Sequence, residues 1–116
     1  VVNDAEKYEK KIKKYFNNKK IKFDLILLGL GTDGHIASLF NNNINVKNYK
    51  NVSFVKKNDF SRITLTINSI NKSKLISLWA PGKEKKKIIK KIRSDRTKKY
   101  PASFLRKKNN FLFYCD

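Results

Sequence analysis

Apolar positions along the chain follow a helical rhythm in some stretches and run nearly unbroken in others. Over residues 4–16, Ala5, Tyr8, Ile12 and Tyr15/Phe16 recur at helical spacing with Lys filling the other face, and Asn3 followed by Glu6 has the spacing of a capping box. The pattern predicts an amphipathic helix, ended by the polar run Asn17-Asn18-Lys19-Lys20. Residues 21–28 carry Phe23, Leu25, Ile26, Leu27 and Leu28 with almost no alternation, as expected of a strand buried on both faces of a parallel sheet. A tight turn is predicted over residues 29–34, followed by a short apolar, helix-compatible stretch at 35–40 and an Asn-rich surface loop at 41–51.

Strands are predicted at residues 52–55 and 62–66, and a helical turn or short helix at 67–74. Residues 75–79 read as a second buried strand closed by Pro81 and Gly82, with Trp79 and the strand aromatics in the core. Residues 84–92 place Ile88, Ile89 and Ile92 on one helical face and Lys elsewhere, and residues 111–114 form a last strand. Helices interspersed with buried strands point to an α/β fold. Neither an internal repeat nor a second domain is visible.

Composition narrows the class. A chain of 116 residues that is 40% apolar suits one domain with a modest core. Its longest apolar run falls far short of the roughly 20 residues of a spanning helix, so no membrane role is expected. One Cys and one His can supply neither an internal disulfide nor a four-ligand zinc site, and a reducing, cytoplasmic compartment is the expectation. Residues 1–16 are too polar for a signal peptide. Because the chain opens on Val1 and contains no Met, it reads as an internal fragment.

The formal net charge of +19 raises the alternative of a basic nucleic-acid-binding module. Of 28 basic residues, however, only Arg62, Arg93, Arg96 and Arg106 are Arg, the type favoured for bidentate recognition. Lys and Asn rise together, as shared A-rich codons would produce in a biased genome. No nucleic-acid partner is therefore expected.

The candidate chemistry lies in Gly29-Leu30-Gly31-Thr32-Asp33-Gly34-His35, which follows a predicted strand and is read as opening a helix. That is where α/β sheets place ligands, beyond the carboxyl ends of strands. Glycines permit the sharp bend and bring backbone amides close to a ligand. Imidazole titrates near neutrality and moves protons, and a neighbouring carboxylate such as Asp33 can orient the ring of His35. Gly29, Gly31 and Gly34 also satisfy a dinucleotide fingerprint, but the acidic residue expected about 20 positions later is missing, because residues 48–57 contain no Asp or Glu.

Residues 23–40, Phe23-Asp24-Leu25-Ile26-Leu27-Leu28-Gly29 through His35-Ile36-Ala37-Ser38-Leu39-Phe40, resemble the signature of the 6-phosphogluconolactonases. These share a G-x-G-x-D-G-H core with glucosamine-6-phosphate deaminases, and Ala37-Ser38-Leu39-Phe40 sides with the lactonases. Arg62-Ile63-Thr64-Leu65-Thr66, Gly82-Lys83-Glu84-Lys85 and Pro101-Ala102-Ser103-Phe104-Leu105 resemble further family segments, as does the strand at 111–114 with the closing Asp116. Asn41 stands where the family has Pro, and Ser61 where it has a basic residue.

The resemblance implies an α/β, Rossmann-like, mostly parallel sheet with flanking helices, residues 1–116 being the C-terminal portion of one larger domain. It implies hydrolysis of 6-phospho-D-glucono-1,5-lactone, with His35 as general base, Asp33 holding its tautomer, and the amides of residues 29–34, including Gly29, Gly31 and Gly34, stabilising an oxyanion. Arg62 and Lys85 match the group's phosphate-binding cations, with Lys85 in the first turn of a helix whose amides also face the anion. Neither metal nor other cofactor is implied. A deaminase or isomerase of sugar phosphates is the enzymatic alternative, and fusion to a glucose-6-phosphate dehydrogenase domain occurs in some relatives. Without the family's N-terminal half, the chain alone is expected to be inactive and poorly folded.

Overall fold

The computed structural model describes residues 2–40, 47–95, 98–105 and 111–114. The helix α1 (Val2–Tyr15) precedes the strand β1 (Leu25–Gly29), a hairpin of β2 (Val52–Lys57) and β3 (Phe60–Leu65), and the short helix α2 (Ile67–Asn71). The strand β4 (Leu75–Trp79), a 3-10 turn at Lys83–Lys85, the helix α3 (Lys86–Ser94), a 3-10 turn at Pro101–Phe104 and the strand β5 (Phe111–Tyr114) complete the order. Asn41 and the rest of 41–46, the loop residues 106–110 and Asp116 lie outside the described residues.

β1, β4 and β5 form a parallel sheet in the order β1-β4-β5, with Leu25 opposite Leu75 and Gly29 opposite Trp79. Alternate positions of a strand point to opposite faces. Ile26, Leu28, Ile76 and Leu78 thus pack together under α2 and α3, through Ile67, Ile70, Ile88, Ile89 and Ile92. The opposite face is bare: Leu25 is 50% exposed, Leu27 67% and Trp79 54%. The expectation of strands buried on both faces, with Trp79 in the core, is thereby corrected. The described chain supplies one helical layer to this sheet, whereas a parallel sheet is ordinarily covered on two sides.

A second apolar cluster, Ala5, Ile12, Ile21 and Val52 flanked by Phe16, Phe23 and Leu65, seats α1 against the hairpin. Tyr8 and Tyr15, expected on the buried face, are exposed instead, because α1 packs on the second cluster chiefly through Ala5 and Ile12. Asn3 lies inside α1 and so cannot cap it. The helix ends as its sequence suggests. Asn17 and Asn18 adopt left-handed φ of 55° and 58°, a conformation Asn tolerates, and their amides return to Lys14 and Lys13 carbonyls. Glu9 ties α1 to the hairpin by accepting from the amides of Asn51 and Val52 at 2.8 and 2.9 Å.

The hairpin and α2 are joined through Thr66, whose hydroxyl caps α2 by accepting from the Ser69 amide and donates to the Lys50 carbonyl. Residues 35–40, expected to be helical, are not. Ala37 takes a φ of 50°, the Leu39 amide closes back on the Ile36 carbonyl, and these two residues form an isolated antiparallel bridge. Three successive helical residues are impossible across such a kink.

Candidate active site

β1 delivers the chain to the glycine turn at the carboxyl end of the parallel sheet. Within the turn the Gly34 amide donates to the Gly31 carbonyl and the Gly31 amide to the His35 carbonyl, each at 2.9 Å. Those two amides are therefore committed to holding the loop, which corrects the expectation that they would receive an oxyanion. The glycines matter for space. A side chain on Gly31 would collide with the His35 ring and the Asp33 carboxylate, and one on Gly34, at a φ of 87°, would meet Tyr100. Gly29, in contrast, has open room around it.

Asp33 folds back over the turn. One of its oxygens accepts from the His35 amide at 3.1 Å and from His35 Nδ1 at 2.6 Å. Burial alone would raise the Asp33 carboxyl, but the hydrogen bonds from the His35 ring and amide outweigh it and hold the group below its ordinary range. An ionised carboxylate only accepts, so the shared proton belongs to Nδ1 and the lone pair to Nε2. The His35 side chain is 35% exposed, so that lone pair is within reach of solvent.

One candidate cation touches this turn directly and the other is linked to it through aromatic rings. Lys85 reaches across from the 3-10 turn before α3, and its Nζ donates to the Leu30 carbonyl. Its own amide donates to the Gly82 carbonyl at 3.2 Å and so is engaged within the turn that opens the helix. Arg62 lies on β3, and alternation places Phe60, Arg62 and Thr64 on one face of that strand. The Thr64 hydroxyl accepts from the Ser38 amide at 3.2 Å, which docks this face on the loop after His35. Phe60 lies 6.3 Å from Phe40, and Phe40 lies 4.9 Å from His35, measured between ring centroids. Arg62 stacks over Phe60 with Cζ 4.4 Å from its ring centre.

Residues of the Pro101 segment support the turn from behind. The Ala102 amide donates to the Gly34 carbonyl at 3.0 Å, and Asp95 accepts from Ser103 Oγ at 2.6 Å and from the Lys99 amide. Phe40, Phe60, Thr64, Tyr100 and Asp95 carried no role in the sequence reading. For Phe60 a signal existed: its spacing of two from Arg62 becomes a shared face once β3 is extended to begin at Phe60 rather than at Arg62.

Comparison with known proteins places this arrangement. Residues 1–114 match the family described as glucosamine-6-phosphate isomerases/6-phosphogluconolactonase. A putative 6-phosphogluconolactonase of Caenorhabditis elegans is 34% identical over 93% of this chain and 44% of its own length. The 6-phosphogluconolactonase of Thermotoga maritima is 34% identical over 95% of this chain and 48% of its own. The solved 6-phosphogluconolactonase of Trypanosoma cruzi superposes with a TM-score of 0.83 at 34% identity, covering 99% of this chain and 49% of that one. The chain thus spans about half the length of the relatives it matches. On the strength of the family match and these relatives, the chain belongs to the glucosamine-6-phosphate isomerase/6-phosphogluconolactonase family.

Proposed function

We propose that the protein carrying this chain hydrolyses 6-phospho-D-glucono-1,5-lactone to 6-phosphogluconate, and that residues 1–116 are the C-terminal portion of its one catalytic domain. The reading rests on one observation above all: the Asp33–His35 pair at 2.6 Å, open to solvent, at the carboxyl end of a parallel sheet. In the reaction, His35 Nε2 takes a proton from water as its oxygen attacks the C1 carbonyl. The tetrahedral intermediate collapses, the bond from C1 to the ring oxygen breaks, and the imidazolium returns its proton to that oxygen. Asp33 stabilises the imidazolium while it exists and keeps Nδ1 protonated.

The substrate's phosphate calls for cations, and Lys85, bonded to the Leu30 carbonyl, and Arg62, linked to His35 through Phe60 and Phe40, are the proposed pair. The cytoplasm is the proposed compartment, and a dehydrogenase domain on the same polypeptide is consistent with the chemistry, since oxidation of a sugar phosphate supplies the lactone. The discriminating experiment supplies the protein with the phosphorylated lactone and, separately, with glucosamine 6-phosphate. Acid release from the lactone without ammonia from the amino sugar is expected; ammonia release instead would transfer the reading to the deaminase branch.

A further inference from the structure

We propose that Phe60, wedged between Phe40 and the Arg62 guanidinium, is a positioning residue that holds Arg62 ready for a phosphate group beside His35. The inference rests on the reading of Arg62 as a phosphate contact and adds how that contact is prepared. Arg62 is exposed, and a free exposed Arg samples many rotamers that an anion must freeze on binding. Here the guanidinium carbon lies 4.4 Å over the Phe60 ring centre, a cation–π contact that restrains the side chain while its N–H groups remain able to bind an anion.

Phe60 is itself held in place. Its ring meets Phe40 at a centroid separation of 6.3 Å and a 55° tilt, and Phe40 lies 4.9 Å from the His35 ring. The Thr64 hydroxyl, two positions beyond Arg62 on the same strand face, fixes the register of β3 against the loop through the Ser38 amide. An unbroken line of contacts, from His35 to Phe40 to Phe60 to Arg62, therefore sets where the cation lies relative to the proton-transfer group. A restrained receptor gains affinity because less freedom is lost on binding. Lys in place of Arg62 would keep the charge and lose the planar, five-donor guanidinium that lies over the ring.

The test compares wild type with Phe60→Leu, Phe60→Tyr, Arg62→Lys and, as a control on the opposite hairpin face, Phe54→Leu, all in the complete protein. Calorimetry reads binding of inorganic phosphate and 6-phosphogluconate, and steady-state kinetics read KM and kcat for the phosphorylated and unphosphorylated lactones. Phe60→Leu should weaken both anions and raise KM for the phosphorylated lactone about two- to fivefold with kcat held, and Arg62→Lys should lose at least as much. Phe60→Tyr and Phe54→Leu should match wild type, and KM for the unphosphorylated lactone should not move.

Wild-type-like anion binding by Phe60→Leu, or an equal KM rise with the unphosphorylated lactone, would overturn the proposal even if the lactonase reading stands. Anion binding that depends on Phe60 in a protein without lactone turnover would overturn the lactonase reading and keep the positioning role. A wild-type protein that binds neither anion would overturn both.

Discussion

Three glycines at the end of β1 and in the turn after it differ in what they do. Gly31 leaves the space that the His35 ring and Asp33 occupy, so Gly31→Ala should abolish most turnover by pushing the ring off its carboxylate. Gly34 bends at a left-handed φ of 87°, where a Cβ would also lie 2.8 Å from Tyr100. Gly34→Ala should therefore cost about 1–2 kcal/mol of stability for the backbone alone, seen as a lower thermal midpoint. Gly29 has nothing of this chain within 4 Å of where a Cβ would stand, so Gly29→Ala should be the mildest of the three in its effect on turnover. Asp33 adds a pH dependence of known sign. Its carboxyl is lowered in the fold, so its stabilising bonds to His35 are fully present above the ordinary value of 3.8 and are lost as pH falls through the lowered one.

Between elements, α1 is joined to the hairpin through Glu9, which accepts from the backbone at the start of β2. Burial raises its carboxyl, yet the hydrogen bonds from Asn51 and Val52 prevail and lower it below 4.5. The joint should hold above that ordinary value and weaken as pH drops through the lowered one. Acid titration of the thermal midpoint should consequently be steeper for wild type than for Glu9→Gln, and parallel curves would remove Glu9 from the joint. β4 and α3 could be read from the sequence because Pro81-Gly82 bounds the strand and Ile88, Ile89 and Ile92 repeat at helical spacing. Residues 35–40 could not. Their composition allows a helix, and the kink arises at Ala37, where the backbone conformation is one that no residue type there announces. Nor does the amphipathic period of α1 reveal which of its apolar positions find a partner: Ala5 and Ile12 do, while Tyr8 and Tyr15 stand out in solvent. The pairing of Asp33 with His35 was legible from spacing, whereas the aromatic line to Arg62 depends on a hairpin register that local pattern does not specify.

Taken together, the site lies on a sheet with one dressed and one undressed side. Leu25, Leu27 and Trp79 present apolar surface where a second layer would normally pack, and β1 forms one edge of the described sheet with backbone groups open to pairing. The 116-residue chain on its own should self-associate and bind hydrophobic dyes. Trp79 is its single Trp and reports on this face directly: indole emission should be solvent-like and readily quenched by acrylamide at dilutions where the isolated chain is monomeric, and shift to the blue when self-association or the rest of the domain covers the face. A monomeric chain with a shielded Trp79 would contradict that picture. The decisive experiment concerns the proton-transfer group. Turnover of 6-phospho-D-glucono-1,5-lactone by His35→Asn in the complete protein should fall by about 10²- to 10⁴-fold in kcat with KM little altered, whereas wild-type-like turnover would mean that the imidazole beside Asp33 does not activate the attacking water.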